Sequence, residues 1–264
     1  MSHSVIINAH VASSSNEVSR NAAQMFADVV TAAVSSRGVA RVAVSGGSTP
    51  RAVFALLADP SAPYLTSLPW QQLQLFWVDE RCVPPADHES NFGMIKAAML
   101  DCVPLPKANI HRMEGELDPE EAASRYEAEI RNVFRLEGAQ TPTFDLVMLG
   151  LGPDGHTASL FPHTDGLHEM ARIVIANHVP QKDTWRLTLT WPVITGAREV
   201  AFLIEGEQKA RMVQMVFAGH YDPESWPAQL IRPASGKLTL LLDTSAAANL
   251  PGPPAPGICT LELT

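Results

Sequence analysis

Ser45-Gly46-Gly47-Ser48-Thr49-Pro50 follows the apolar run Arg41–Ser45 and leads straight into a helical pattern. Two glycines let the backbone approach a ligand closely, Ser48 and Thr49 add hydroxyls, and Pro50 pre-sets a first helical turn. Free backbone N–H groups and the positive end of a helix dipole would make such a loop an anion site. The alternative is a tight turn with an ordinary Ser/Thr cap. No Gly-Lys-Ser/Thr triplet follows, so this is not a nucleotide-binding P-loop. A second charged strand end, Asp79-Glu80-Arg81, closes the run LQLFWV. It is either a solvated rim or a place where Arg81 forks onto a phosphate, with Asp79 beside it. Ser90-Asn91 opens the next helix; capping explains Ser90, and Asn91 is the freer polar group.

The richest segment is Leu149-Gly150-Leu151-Gly152-Pro153-Asp154-Gly155-His156-Thr157-Ala158-Ser159-Leu160-Phe161-Pro162. Its GxGxxG spacing invites a dinucleotide reading, but no acidic residue stands at the end of the next strand, where a ribose would need one. His156 suits proton transfer near neutral pH, and Asp154, two residues away, can orient it. Backbone N–H groups around Gly155 and the side chain of Arg186, within RLTLT, are candidates to steady developing negative charge. Lys209, one turn into a later helix, is a further cation; a plain surface lysine is the alternative. A His156/His163 metal pair lacks ligand spacing, and no GxSxG elbow is present, which disfavours a serine hydrolase.

These groups need elements to hold them. β-branched apolar runs at Arg41–Ser45, Gln72–Asp79, Phe144–Leu149, Arg172–Ala176, Trp185–Thr190, Glu199–Ile204 and Lys237–Asp243 alternate with helical patterns at Pro50–Ala58, Ser90–Leu100 and Glu207–Ala218. Two longer helices are expected at Asn16–Ser36, ending before Gly38, and at Asp118–Phe134, with Asp118 as N-cap and Glu121 completing a capping box. The alternation predicts a mostly parallel sheet covered by helices, with ligands beyond the strands' carboxyl ends. The Pro-rich pieces Asp59–Pro69 and Asn249–Pro256 read as a loop and a tail, leaving one domain over residues 1–264.

The chain of 264 residues carries 19 Lys+Arg against 28 Asp+Glu, a net charge of −9, which argues against nucleic acid or anionic membranes as partners. The interval Glu114–Glu129 contributes most of that excess and is expected to be a solvated face away from the strand ends. Three cysteines without CxxC spacing (Cys82, Cys102 and Cys259) point to reduced thiols, and MSHSVIINAH lacks a signal peptide's basic region, so a soluble cytoplasmic protein is expected.

Taken in order, SGGSTP, VDERCVP with Ser90-Asn91, GLGPDGHTASLFP, RLTLT and EGEQKA closely resemble the 6-phosphogluconolactonase family, part of the wider glucosamine-6-phosphate isomerase/6-phosphogluconolactonase group. The resemblance implies a Rossmann-like, mostly parallel α/β sheet with helices on both faces, similar to glucosamine-6-phosphate deaminase and ribose-5-phosphate isomerase. It implies hydrolysis of 6-phospho-D-glucono-1,5-lactone to 6-phosphogluconate, in the oxidative pentose phosphate pathway, without metal or cofactor. His156 would be the base and Asp154 its orienting group. The substrate would meet Ser45, Gly46, Gly47, Ser48, Thr49, Asp79, Arg81, Asn91, Gly155, Arg186 and Lys209. A deaminase or related sugar-phosphate isomerase is the alternative, but deaminases carry a catalytic glutamate five residues after the histidine, where this chain has Phe161. The expected partner is a phosphorylated sugar lactone, and the expected state a monomer or weak homodimer.

Overall fold

The computed structural model describes residues 5–251 and 255–263. Eight strands form the main sheet: β1 (Val5–Ala12), β2 (Ala40–Val44), β3 (Leu73–Trp77), β5 (Ile110–His111), β6 (Leu146–Leu149), β9 (Glu199–Ile204), β10 (Lys237–Asp243) and β11 (Gly257–Leu263), in the order β11-β1-β10-β9-β6-β2-β3-β5. Every neighbouring pair is parallel except β1 with β11. All four residues of β6 and the last five of β9 are buried. Continuous burial of this kind requires cover on both faces, which is why these strands read as unbroken apolar runs.

The helices are α1 (Ser15–Arg37), α2 (Ser48–Ala58), α3 (Tyr64–Ser67), α4 (Asn91–Ile95), α5 (Pro119–Phe134), α6 (Trp191–Thr195) and α7 (Ala210–Phe217). α1 starts where Ser14 Oγ accepts from the Glu17 amide and stops at Gly38, whose φ of 76° suits a residue without Cβ. α5 is capped by Asp118, which accepts from the Glu120 and Glu121 amides as expected. The Glu121 side chain turns to Arg125 (3.6 Å) rather than back to the cap. The helix expected at Ser90–Leu100 is capped at Ser90, runs as α4 to Ile95, and loosens into a π turn over Lys96–Leu100.

Three expectations need correction. Arg172–Ala176 and Trp185–Thr190 are strands, but outside the parallel sheet. As β7 (Val174–Val179) and β8 (Thr184–Leu189) they form a separate antiparallel sheet with β4 (Asp79–Arg81). Apolar content marks a strand, while its partner is chosen by tertiary contacts. The tail is likewise only partly a tail. Residues 252–254 lie outside the described region, and beyond them β11 returns antiparallel to β1.

The acidic interval is not simply solvated either. Glu116 pairs with Arg112 (2.5 Å), Glu114 with Arg125 (3.2 Å), Glu120 with Arg172 (3.0 Å) and Glu129 with His111 (2.6 Å). Glu127 both pairs with Arg131 (3.0 Å) and accepts from the Ile173 and Val174 amides, joining α5 to β7. The acids on α5 and just before it are met by bases of the helix itself, Arg125 and Arg131, and of neighbouring segments, Arg112 and Arg172.

Candidate active site

Val44 of β2 stands beside Met148 of β6 and Trp77 of β3. From β2 the chain goes outward to β3, while from β6 it goes the other way to β9. The connections therefore part between β2 and β6, which opens a crevice at the strands' carboxyl ends. The glycine loop leaves β2 on one side and Gly150–His156 leaves β6 on the other. Together with Asp79–Arg81 and the Glu205–Lys209 turn they enclose a cavity of about 330 Å³.

Gly47 (φ 121°) delivers the chain into α2, whose first turn has no side-chain cap. Its leading N–H groups therefore face the cavity free of side-chain partners. Ser45 Oγ is buried there without a hydrogen-bond partner among the described residues, and an orphaned buried hydroxyl is costly unless a partner satisfies it. A Cβ on Gly46 would overlap the Asn91 side chain, so only glycine lets Asn91 close over the loop. Asn91 Nδ2 donates to the Asp79 carbonyl (2.9 Å). Asp79 accepts from Ser159 Oγ (2.8 Å) and is thereby tied to the His156 segment.

His156 Nδ1 is hydrogen-bonded to Asp154 Oδ1, while Nε2 has no partner among the described residues. A Cβ on Gly152 would strike the imidazole, and the Phe161 ring stacks on it at 4.1 Å and 24°. Burial alone would raise the Asp154 pKa, but the hydrogen bond and charge of His156 outweigh it and hold the carboxyl below its ordinary range. Lys209 Nζ donates to the Leu151 carbonyl (2.7 Å). Burial lowers its pKa, with Asp154 opposing. Its turn is anchored where the Gly206 amide meets Asp243 (3.0 Å), and Glu205 accepts from Thr49 Oγ1 (2.8 Å).

Ten of the thirteen expected site residues line the cavity: Ser45, Gly46, Gly47, Ser48, Thr49, Asp79, Arg81, Asn91, His156 and Lys209. Asp154 touches His156 but is not part of the lining. Gly155 (φ 76°) faces Trp226 and Met212, and its amide is taken by the Gly152 carbonyl (3.2 Å), so it is no free donor. Arg186 is the cross-strand partner of Arg81 and stands outside the lining.

Four supporting residues had no distinctive sequence signal: Glu80, Ser159, Glu205 and Gln208. Glu205 and Gln208 line the cavity. Glu80, 1% exposed, accepts from Ser90 Oγ and from the Asn91, Phe92 and Arg81 amides, so it sets both cavity-lining neighbours. A larger hollow of about 880 Å³ runs beside α1, but Asp145 already pairs there with Arg37 (2.7 Å) and Arg198 (3.3 Å). Among the described residues no group of three or more His, Cys, Asp and Glu could hold a metal, and burial pushes the Cys82 thiol up to about 11.

A sugar-phosphate enzyme of the α/β class is what this crevice and its anion loop suggest. The chain belongs to the family described as glucosamine-6-phosphate isomerases/6-phosphogluconolactonase, whose profile matches residues 13–240. It is 42% identical over 222 residues to a 6-phosphogluconolactonase of Synechocystis, covering 84% of this chain and 89% of that protein. A solved 6-phosphogluconolactonase from Trypanosoma cruzi superposes with a TM-score of 0.80 at 30% identity, covering 92% of this chain and 97% of the other. A monomeric glucosamine-6-phosphate deaminase shares the fold (TM-score 0.75, 20% identity, 91% and 99% covered).

Proposed function

We propose that the chain acts as one α/β domain that hydrolyses 6-phospho-D-glucono-1,5-lactone to 6-phosphogluconate, a step of the oxidative pentose phosphate pathway. The observation that carries this reading is that His156, backed by Asp154, faces the same cavity as the uncapped start of α2. The phosphate docks on the Ser45–Thr49 loop, with Arg81 and Lys209 supplying charge. Binding there brings the lactone carbonyl to His156 and makes the attack effectively intramolecular.

Asp154 occupies Nδ1, which leaves Nε2 to take a proton from water as its oxygen bonds to the carbonyl carbon. When the tetrahedral intermediate collapses, the bond to the ring oxygen breaks and the imidazolium returns that proton to it. General base assistance of this kind contributes about 10²- to 10⁴-fold. The deaminase alternative needs an acid five residues beyond the histidine. Phe161 stands there, its ring buried against the imidazole.

The test is direct. The lactone, generated from glucose 6-phosphate, should decay faster than its spontaneous rate with the intact protein and at close to that rate with His156→Ala. Decay that the intact protein does not accelerate rejects the activity. Full acceleration by His156→Ala rejects the assigned base.

A further inference from the structure

The imidazole of His156 is gripped from three directions. Asp154 holds Nδ1, Gly152 leaves just enough room at the ring edge, and the Phe161 ring lies flat against one face (4.1 Å, 24°). Phe161 is 4% exposed, so water is kept from that face.

Phe161 is itself held by a fastened turn. Ala158 (φ 51°) and His163 (φ 58°) bracket it in left-handed conformations that non-glycine residues seldom adopt without support. The support is Asn177 of β7, whose Nδ2 donates to the Ser159 carbonyl (2.9 Å) and Thr164 Oγ1 (3.0 Å), while its Oδ1 accepts from the Gly166 amide (3.2 Å). Thr164 Oγ1 in turn donates to the Phe161 carbonyl (2.8 Å). A chain of buried contacts thus runs from the antiparallel sheet to the face of the histidine.

We propose that Phe161 is a positioning residue for His156: its ring fixes the plane of the imidazole against the cavity and stabilises the imidazolium formed during turnover. An aromatic face carries negative electrostatic potential and attracts a cation lying over it. The charged groups around the pair are Asp154 at Nδ1, Lys209 near Asp154, and Lys182, whose Nζ lies 5.5 Å from the Phe161 centroid. None of them supplies what the ring supplies, an apolar plane in direct contact. The inference rests on the lactonase reading only in taking His156 as the base.

Phe161→Leu keeps the site apolar but removes the plane, and Phe161→Tyr keeps the plane. With Phe161→Leu, kcat should fall about tenfold with KM within about twofold, since the phosphate contacts are untouched. The acid limb of its pH–rate profile should move about half a unit lower, because the imidazolium loses a favourable contact. Phe161→Tyr should keep both close to those of the unaltered protein. The same downward movement should appear in an NMR titration of His156, whose signals are identified by their loss in His156→Asn. A Phe161→Leu protein with unaltered kcat, or with reduced kcat and an unmoved acid limb, overturns the proposal. If the intact protein lacks lactonase activity, the proposed function falls, and the NMR titration still decides the role of Phe161.

Discussion

Arg81 stands directly opposite Arg186 across the β4–β8 ladder. Their hydrogen bonds go to neutral groups: Arg81 Nη1 to the Glu89 carbonyl (2.7 Å), Arg186 Nη1 to Thr184 Oγ1 (3.0 Å) and the Trp185 carbonyl (3.1 Å). Burial first, and the charge of Arg81 second, depress the Arg186 pKa. Like charges directly across a ladder oppose pairing, and an anion bound beside them relieves the repulsion. Arg81→Ala should raise KM for the phosphorylated lactone about 10- to 100-fold, the worth of a charged hydrogen bond. Arg186→Ala, one step behind the cavity, should raise it less. Steady-state kinetics of the two single variants and the double variant check this, the Arg186 effect shrinking once Arg81 is gone.

Ser45 yields a prediction with opposite signs for stability and function. Its buried hydroxyl has no hydrogen-bond partner among the described residues. Ser45→Ala should therefore leave the melting temperature unchanged or raise it, with a gain of up to about 1 kcal/mol. The same change should weaken substrate binding, seen as a higher KM. Thermal unfolding and steady-state kinetics on one preparation measure both.

Glu80 holds Arg81, Asn91 and the start of α4 through four donors, two on each carboxylate oxygen. Burial raises its pKa despite the amides of Phe92, Asn91 and Arg81. Glu80→Gln turns one acceptor oxygen into an NH₂ group that faces two donors. The loss should be about 1–3 kcal/mol in urea unfolding, even though a buried charge is removed. Equal midpoints for the two proteins would contradict the bonding described.

Asp154 has its carboxyl held below the ordinary range, so the folded state binds its proton less tightly than the unfolded chain does. Its contribution to stability is complete above the unfolded carboxylate range, near pH 3.9, and drains away as the pH falls through the lower folded value. Between about pH 6 and pH 3, Asp154→Asn should lose less stability than the unaltered protein in parallel thermal scans. Its kcat should be reduced at least about tenfold, because an amide can hold the wrong imidazole tautomer.

The amino-acid sequence by itself determined the alternation of strands and helices and both ends of α1 and α5. It also named the segments that line the cavity, because glycines, caps and apolar periodicity act over a few residues. Ser45–Thr49, Arg81, His156 and Lys209, all of which line the cavity, were legible for that reason. β1 was within reach as well: Ile7, Ala9 and Val11 alternate as buried residues, a period of two that a short apolar run conceals. Only the tertiary structure decided the rest. It placed β7 and β8 with β4 in a second sheet, and it brought Ser159 to Asp79 across 80 residues. It also set Arg186 behind Arg81, turned Gly155 away from the cavity, and laid Phe161 on His156. These are pairings between distant segments, and the free energy that selects them comes from shared burial and matched donors, which no local pattern records.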